Sequence, residues 1–268
     1  MHTLITIEQI NTYITKIPPA PDALKKTLLH LNNENLSRAA SAAQEDNALS
    51  SYLKTLVNSP IYGFSNVISD IPQMFGVLGV PRSQQVVYNY MLSLLSPDKW
   101  KLFKLNKTTF HNLQSDLSVH WQKILTHLKI IDPHIQSSIS LLPATIIVSE
   151  ALFCENIEDV NQLRSVNPID LNSILQRLCN VNLFDLCQMI AEKWDMGVST
   201  SQIIQASSGL KPSENKNINI LGKWMHLLLF YILSKPKYVE AGLNDFIDFQ
   251  IDYVEDIYDD FSKVMDIS

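Results

Sequence analysis

Glycine is scarce in this chain, with 7 in 268 residues, and no run alternates apolar and polar side chains over the length of a strand. Sheets and glycine-rich phosphate loops therefore lack their usual material, whereas apolar residues recur at helical spacing from end to end. The expected fold class is all-α. Cysteine is equally sparse. Cys154, Cys179 and Cys187 share no CxxC spacing, and three thiols cannot complete an internal disulfide set. A reduced, cytoplasmic setting fits that usage. Met1–Gln9 is short and polar, so no secretion leader is read there. The longest apolar run picked out, Met225–Leu233, has nine residues against the roughly 20 needed to cross a bilayer. No membrane insertion is expected. Also missing are G-x-G-x-x-G, a Walker A loop, a G-x-S-x-G elbow and H-E-x-x-H, which removes the common nucleotide, hydrolase and zincin patterns.

What is present is an ordinary globular balance, 46% hydrophobic and 18% charged, enough to bury a core without covalent staples. The net charge of −6 is concentrated. Gly242–Ser268 holds eight acidic residues and one lysine, leaving 20 basic and 19 acidic residues in the first 241. A nearly neutral body lacks the broad cationic surface that phosphate-backbone binding uses, so nucleic acid is not an expected partner.

Proline marks the divisions. Pro18, Pro19 and Pro21 precede a helix whose first turn carries Asp22, a favourable charge at that end. Pro60 to Gly63 closes the next helical pair, Pro81 suits the first turn of a helix running towards Leu95, and Ser96-Pro97 breaks the chain. Residues 98–135 read as a less regular section. There His120, His127 and His134 repeat at seven, but i and i+7 lie about 10.5 Å apart along a helix, too far for donors that must each sit about 2 Å from a shared zinc. They are read as surface or half-buried imidazoles.

Leu183, Leu186, Cys187, Ile190 and Trp194 form a buried helical stripe, which makes Cys187 an inert core thiol. Leu221, Trp224, Met225, Leu228, Leu229 and Ile232 form another before Pro236. Between the two stripes, the polar run Lys211–Asn219 reads as a loop. Asn244–Met265 reads as one acidic amphipathic helix. Phe246, Phe249, Tyr253, Val254, Ile257, Phe261 and Val264 line one face, and Asp245, Asp248, Asp252, Glu255, Asp256 and Asp259 occupy most of the rest. Its aromatic face either packs on the chain's own body or docks on a partner or a second copy, with Phe249, Tyr253, Ile257 and Phe261 as the candidate contacts.

Three quoted segments carry a family resemblance. IPPAPDALKKTLLHLNNENLS (17–37) and AAQEDNALSSYLKTLVNSPIYG (42–63), the latter ending in Asn-Ser-x-x-Tyr-Gly, are followed by DIPQMFGVLGV (70–80). Weaker points occur at Asp185-Leu186 and Ile190–Trp194. Together they resemble the HDOD family, the HD-related output domain of bacterial signalling proteins. The resemblance implies a compact multi-helix HD-like bundle over 7–212, with 213–268 as a helical extension packing on it. Within the motif, Asn58 is suited to capping a helix end, Tyr62 to burying its ring and Gly63 to a tight turn.

The catalytic HD relatives need an upstream His, a His-Asp pair and further His or Asp to hold metals that activate water. This chain contains no His-Asp dipeptide. In Leu141-Leu142-Pro143-Ala144-Thr145, Pro143-Ala144 stands where that pair would be, and Ala206-Ser207-Ser208 stands where relatives often have His-His. The resemblance therefore implies a regulatory module that works by binding a protein or ligand. No metal, cofactor or catalytic residue is expected. Another signalling protein is the expected partner and a homodimer the alternative. A nucleotide second messenger fits the family but has no support in the residues. Two other readings stay open: a divergent metal-dependent HD-type phosphohydrolase or phosphodiesterase, and a structural dimerisation unit.

Overall fold

The computed structural model describes residues 5–16, 22–60, 64–166, 169–193, 196–246 and 248–267. Every regular element among these residues is helical, as the scarcity of glycine and the helical spacing of apolar residues require. The opening helices are α1 (Ile7–Lys16), α2 (Asp22–Asn32), α3 (Leu36–Gln44) and α4 (Asn47–Val57). Two of their starts are set by side chains that satisfy orphan amides. Asn35 accepts from the Arg38 N–H, and Asp46 accepts from those of Ala48 and Leu49. In α3 the buried positions are Ala39, Ala40, Ala42 and Ala43, whose small side chains let α2 and α3 lie close together. Pro18, Pro19 and Pro21 lie outside the described residues.

These hairpins rest on α5 (Ile71–Leu95). It begins ten residues before Pro81, because Asp70 caps it through the Gln73 N–H. Gly79, at φ 69° and ψ 173°, then breaks it into two limbs just before Pro81. A conformation of that kind carries no Cβ penalty in glycine. The second limb is covered on nearly all sides, with Val86, Val87, Tyr88, Tyr90, Met91 and Leu92 buried beside Gln84, Gln85 and Asn89. No single apolar stripe marks a helix of this kind.

The section expected to be irregular is largely one helix. Here α6 (Lys107–His127) runs for 21 residues from an Asn106 cap, its threonines, asparagine and histidines facing outward over a buried stripe of Phe110, Leu113, Leu117, Trp121, Ile124 and Leu125. Next come α7 (Pro133–Ser137), a 3₁₀ turn at Ser138–Ser140 and α8 (Leu141–Cys154). His134–Cys154 forms a continuous apolar stretch of 21 residues, long enough to cross a membrane by length and composition, and 83% of its window is buried inside the protein. It is longer than the run picked out from the sequence because α7, the turn and α8 continue one another.

The remaining body is α9 (Ile157–Val166), α10 (Leu171–Cys179), α11 (Leu183–Lys193), α12 (Val198–Ala206) and α13 (Lys216–Leu233). Stacking proceeds from α8 to α11, α11 to α12, α12 to α13, and α13 onto α6. The stripes read at Leu183–Ile190 and Leu221–Ile232 are both buried, whereas Trp194 lies outside the described residues. Helix α13 takes in half of the expected polar loop, because Asn215 caps it through the amides of Asn217 and Ile218.

The C-terminal segment is a chain of short turns in place of one helix. It comprises α14 (Pro236–Val239), a 3₁₀ turn at Leu243–Phe246, α15 (Ile251–Val254), a 3₁₀ turn at Glu255–Ile257 and α16 (Tyr258–Met265). The backbone leaves helical geometry at Gln250, φ −106° and ψ 89°, where its N–H is donated to a side chain of α13. Asp245 also departs from the expected solvated face. Its side chain is buried, bonded to the Leu171 N–H at 2.9 Å and paired with Arg164 at 3.1 Å. Burial pushes its carboxyl upward, and those two partners pull it back.

Candidate functional site

Pro143-Ala144, which the resemblance sets at the place of the HD pair, lies in the first turn of α8. Pro143 there removes an N–H that has no intrahelical partner in any case, and both it and Ala144 are buried. Next to them, Thr145 Oγ1 donates to the Leu141 carbonyl and lies 2.8 Å from Cys187 Sγ. Burial pushes the Cys187 thiol up to about 12, which keeps it protonated and unreactive. Among the described residues, no three His, Cys, Asp or Glu side chains converge as a metal set. The seven-spaced histidines are in three different surroundings. His120 lies against the Asp116 carbonyl and Tyr231, His127 lies against Trp224, and the backbone of His134 accepts from Thr200.

Ser207, at the end of α12, has a histidine neighbour from α13. His226 Nδ1 is 2.8 Å from the Ser207 carbonyl, and Nε2 accepts the Gln250 N–H at 3.0 Å. The two contacts assign the tautomer: Nδ1 carries the proton and Nε2 is bare. Around this ring the C-terminal segment is seated. Phe249 stacks on His226 and on Phe230, the latter with centroids 4.2 Å apart. Tyr253 donates to Asn219, Ile257 is packed against the core, and Phe261 is buried beside Trp224 and Tyr231. Of the four candidate partner contacts, Phe261 is buried, while Phe249, Tyr253 and Ile257 are half-buried against the chain's own body.

Protonation of His226 removes the acceptor that holds Gln250. Burial lowers its pKa, opposed by the Ser207 carbonyl and the Asp248 carboxylate. Since the folded value lies below the unfolded one near 6.5, the unfolded chain binds more protons and stability rises with pH. This contribution is complete above about pH 6.5 and is lost as pH falls from there through the folded value. His111 and His120 are shifted the same way by burial, so a variant is needed to isolate the effect. Melting temperature is expected to fall less between pH 7.5 and 5 in His226→Asn than in the parent. Equal slopes in the two proteins would remove His226 from this account.

A second arrangement lies between the second limb of α5 and α6. A cavity of about 370 Å³ opens there, lined by Arg82, Gln85, Ser118, Val119, Gln122, Lys123 and Thr126. A buried polar network runs beneath it. Gln136 donates to Gln85 Oε1 at 2.9 Å, Asn89 donates to Ser118 Oγ at 3.1 Å, and Gln114 donates to the Asn89 carbonyl at 3.3 Å. Gln85 Nε2 and Gln114 Oε1 have no hydrogen-bond partner. Buried polar groups are rarely left so, and the sequence carried a usable signal in Gln84-Gln85, two amides inside an otherwise apolar helix. The sequence reading named none of these residues.

The motif residue Asn58 works at the end of α4. Its Nδ2 donates to the carbonyls of Lys54 and Ile68, and its Oδ1 accepts the Ile68 N–H at 2.7 Å, which ties the following loop back to the helix. Tyr62 and Gly63 lie outside the described residues.

Comparison with known proteins follows this geometry. The fold matches an HDOD domain protein with unknown function from Geobacter sulfurreducens, with a TM-score of 0.61, 16% identity and 96% of each chain covered. It also matches a protein from Marinobacter aquaeolei VT8 that carries a provisional signal-transduction name, with a TM-score of 0.60, 14% identity, 97% of this chain and 64% of that one. At such identities the likeness is one of fold. No curated protein matches the chain. The sequence model of the HDOD domain matches residues 17–209, most of the chain and the whole span from α2 to the end of α12. The chain belongs to the HDOD domain family.

Proposed function

We propose that this chain is a regulatory module of bacterial signal transduction, acting in the cytoplasm by binding a protein or a small ligand and not by hydrolysing a phosphoester. The observation that carries the reading is that the chain holds no His-Asp dipeptide; the family resemblance sets Pro143-Ala144, buried in the first turn of α8, at the place of that pair, and neither side chain has a donor atom. The provisional signal-transduction name of a structural neighbour supports the regulatory half. Another signalling protein is the partner this reading favours, with a second copy of the chain as the alternative.

The purified full chain is expected to hold well under one equivalent of iron, manganese or zinc. It is also expected to release no nitrophenolate from bis(p-nitrophenyl) phosphate, with or without added metal. Stoichiometric metal together with turnover overturns the reading and restores the phosphohydrolase.

A further inference from the structure

The cavity between α5 and α6 holds charge that the fold does not use. Its volume of about 370 Å³ equals the liquid volume of about a dozen waters at ≈ 30 Å³ each, more than a bare ion fills. Arg82, half-buried on its wall, has no hydrogen bond or ion pair to any other described residue. Lys123, from α6, meets Asp266 of the C-terminal turn at 2.6 Å, but that carboxylate is 82% exposed, and an ion pair so open to water holds weakly. Among the described residues, no Asp or Glu lines the cavity.

Donors complete the site. Ser118 Oγ already accepts from Asn89, so its own O–H is free to donate. Gln85 also lines the cavity, held from beneath by Gln136 through its oxygen, while its Nε2 is buried behind the wall. Two positive charges and a hydroxyl, with no acid among the described lining residues, match a compact dianion better than a single carboxylate. A phosphate monoester carries ≈ −1.5 to −2 charge at pH 7, and the guanidinium fork fits its oxygens in bidentate fashion. Val119 and the remaining volume accommodate an organic body.

We propose that this cavity binds a small phosphate monoester, with Arg82 and Lys123 on the phosphate and Ser118 orienting it, and that Asp266 competes with the ligand for Lys123. The proposal rests on the binding reading above, in that the ester is held and not cleaved.

The test is calorimetric titration of the full chain with p-nitrophenyl phosphate and, separately, with inorganic phosphate. Saturable binding at one site per chain is expected, tighter for the ester. Arg82→Ala is expected to weaken it by about tenfold or more and Asp266→Asn to tighten it by about threefold. Because Arg82 has no hydrogen-bond or ion-pair partner among the described residues, Arg82→Ala should melt with the parent, which separates loss of the site from loss of structure. Absence of binding, or unchanged affinity in Arg82→Ala, overturns the site and leaves a protein-binding module standing. Equal affinity for the two probes overturns the organic body and leaves inorganic phosphate as the occupant. Release of nitrophenolate overturns the non-hydrolytic reading instead.

Discussion

Replacing Glu150 by leucine is expected to lower the unfolding free energy by about 3–5 kcal/mol, among the largest effects of any single substitution in this chain. Glu150 is 3% exposed, and its carboxylate accepts three successive amides, those of Lys101 at 2.5 Å, Leu102 at 3.0 Å and Phe103 at 3.1 Å. That stretch between α5 and α6 has no regular structure, so these donors have no ladder of their own. Leucine leaves them orphaned, at about 1–3 kcal/mol each for those that stay dry. The same turn carries Trp100 and Phe103, whose rings meet Phe110 and Phe246. Its loosening therefore reaches the C-terminal segment. Glu150→Gln keeps one acceptor oxygen and should fall between the two. Urea unfolding monitored by tryptophan fluorescence reads the difference, and a Glu150→Leu protein within about 1 kcal/mol of the parent contradicts the argument.

The second large effect is steric. At Gly222 of α13, an added Cβ would lie 2.5 Å from Ala206 Cβ, 2.8 Å from Tyr253 Oη and 2.9 Å from the Ala206 carbonyl carbon. Two of those atoms belong to the end of α12 and cannot swing aside as the tip of a long side chain can. Gly222→Ala is therefore expected to destabilise by about 2–3 kcal/mol through overpacking, despite the ≈ 1 kcal/mol that alanine gains over glycine in a helix. Gly222→Val should cost more. Gly76, in the first limb of α5, is the control, since nothing lies within 4 Å of its added Cβ. Gly76→Ala should be neutral or stabilising by up to about 1 kcal/mol. If the two alanine variants melt in the opposite order, the close crossing of α12 and α13 is not as described. Gly222→Ala also displaces the Tyr253 hydroxyl from Asn219, so proteolysis within residues 248–267 should quicken in that variant alone.

Where the sequence reading erred, it erred for identifiable reasons. Pro81 does stand at the start of the limb that runs to Leu95, just past the break at Gly79; the sequence reading omits the first limb, which starts from the Asp70 cap. Helix α6 was read as irregular because threonine, asparagine and histidine crowd its outer face, although Phe110, Leu113, Leu117, Trp121 and Leu125 keep helical spacing beneath. The C-terminal residues do carry one amphipathic pattern. Yet Gln250 gives its N–H to His226, and Asp245 is drawn into the core by Arg164, 81 positions before it.

The sequence by itself determined the helical class, the family, and the buried stripes of α11 and α13. Each of these is written in residue types at short, fixed spacings, and the helix period converts such spacings directly into a face. Only the tertiary structure decided that the aromatic face of the C-terminal segment is spent on α13, that Glu150 holds a loop some 48 residues before it, and that Arg82 and Lys123 share one cavity. Those outcomes depend on which helix surfaces meet, and the meeting is settled by packing among residues far apart in the chain, which no local period records.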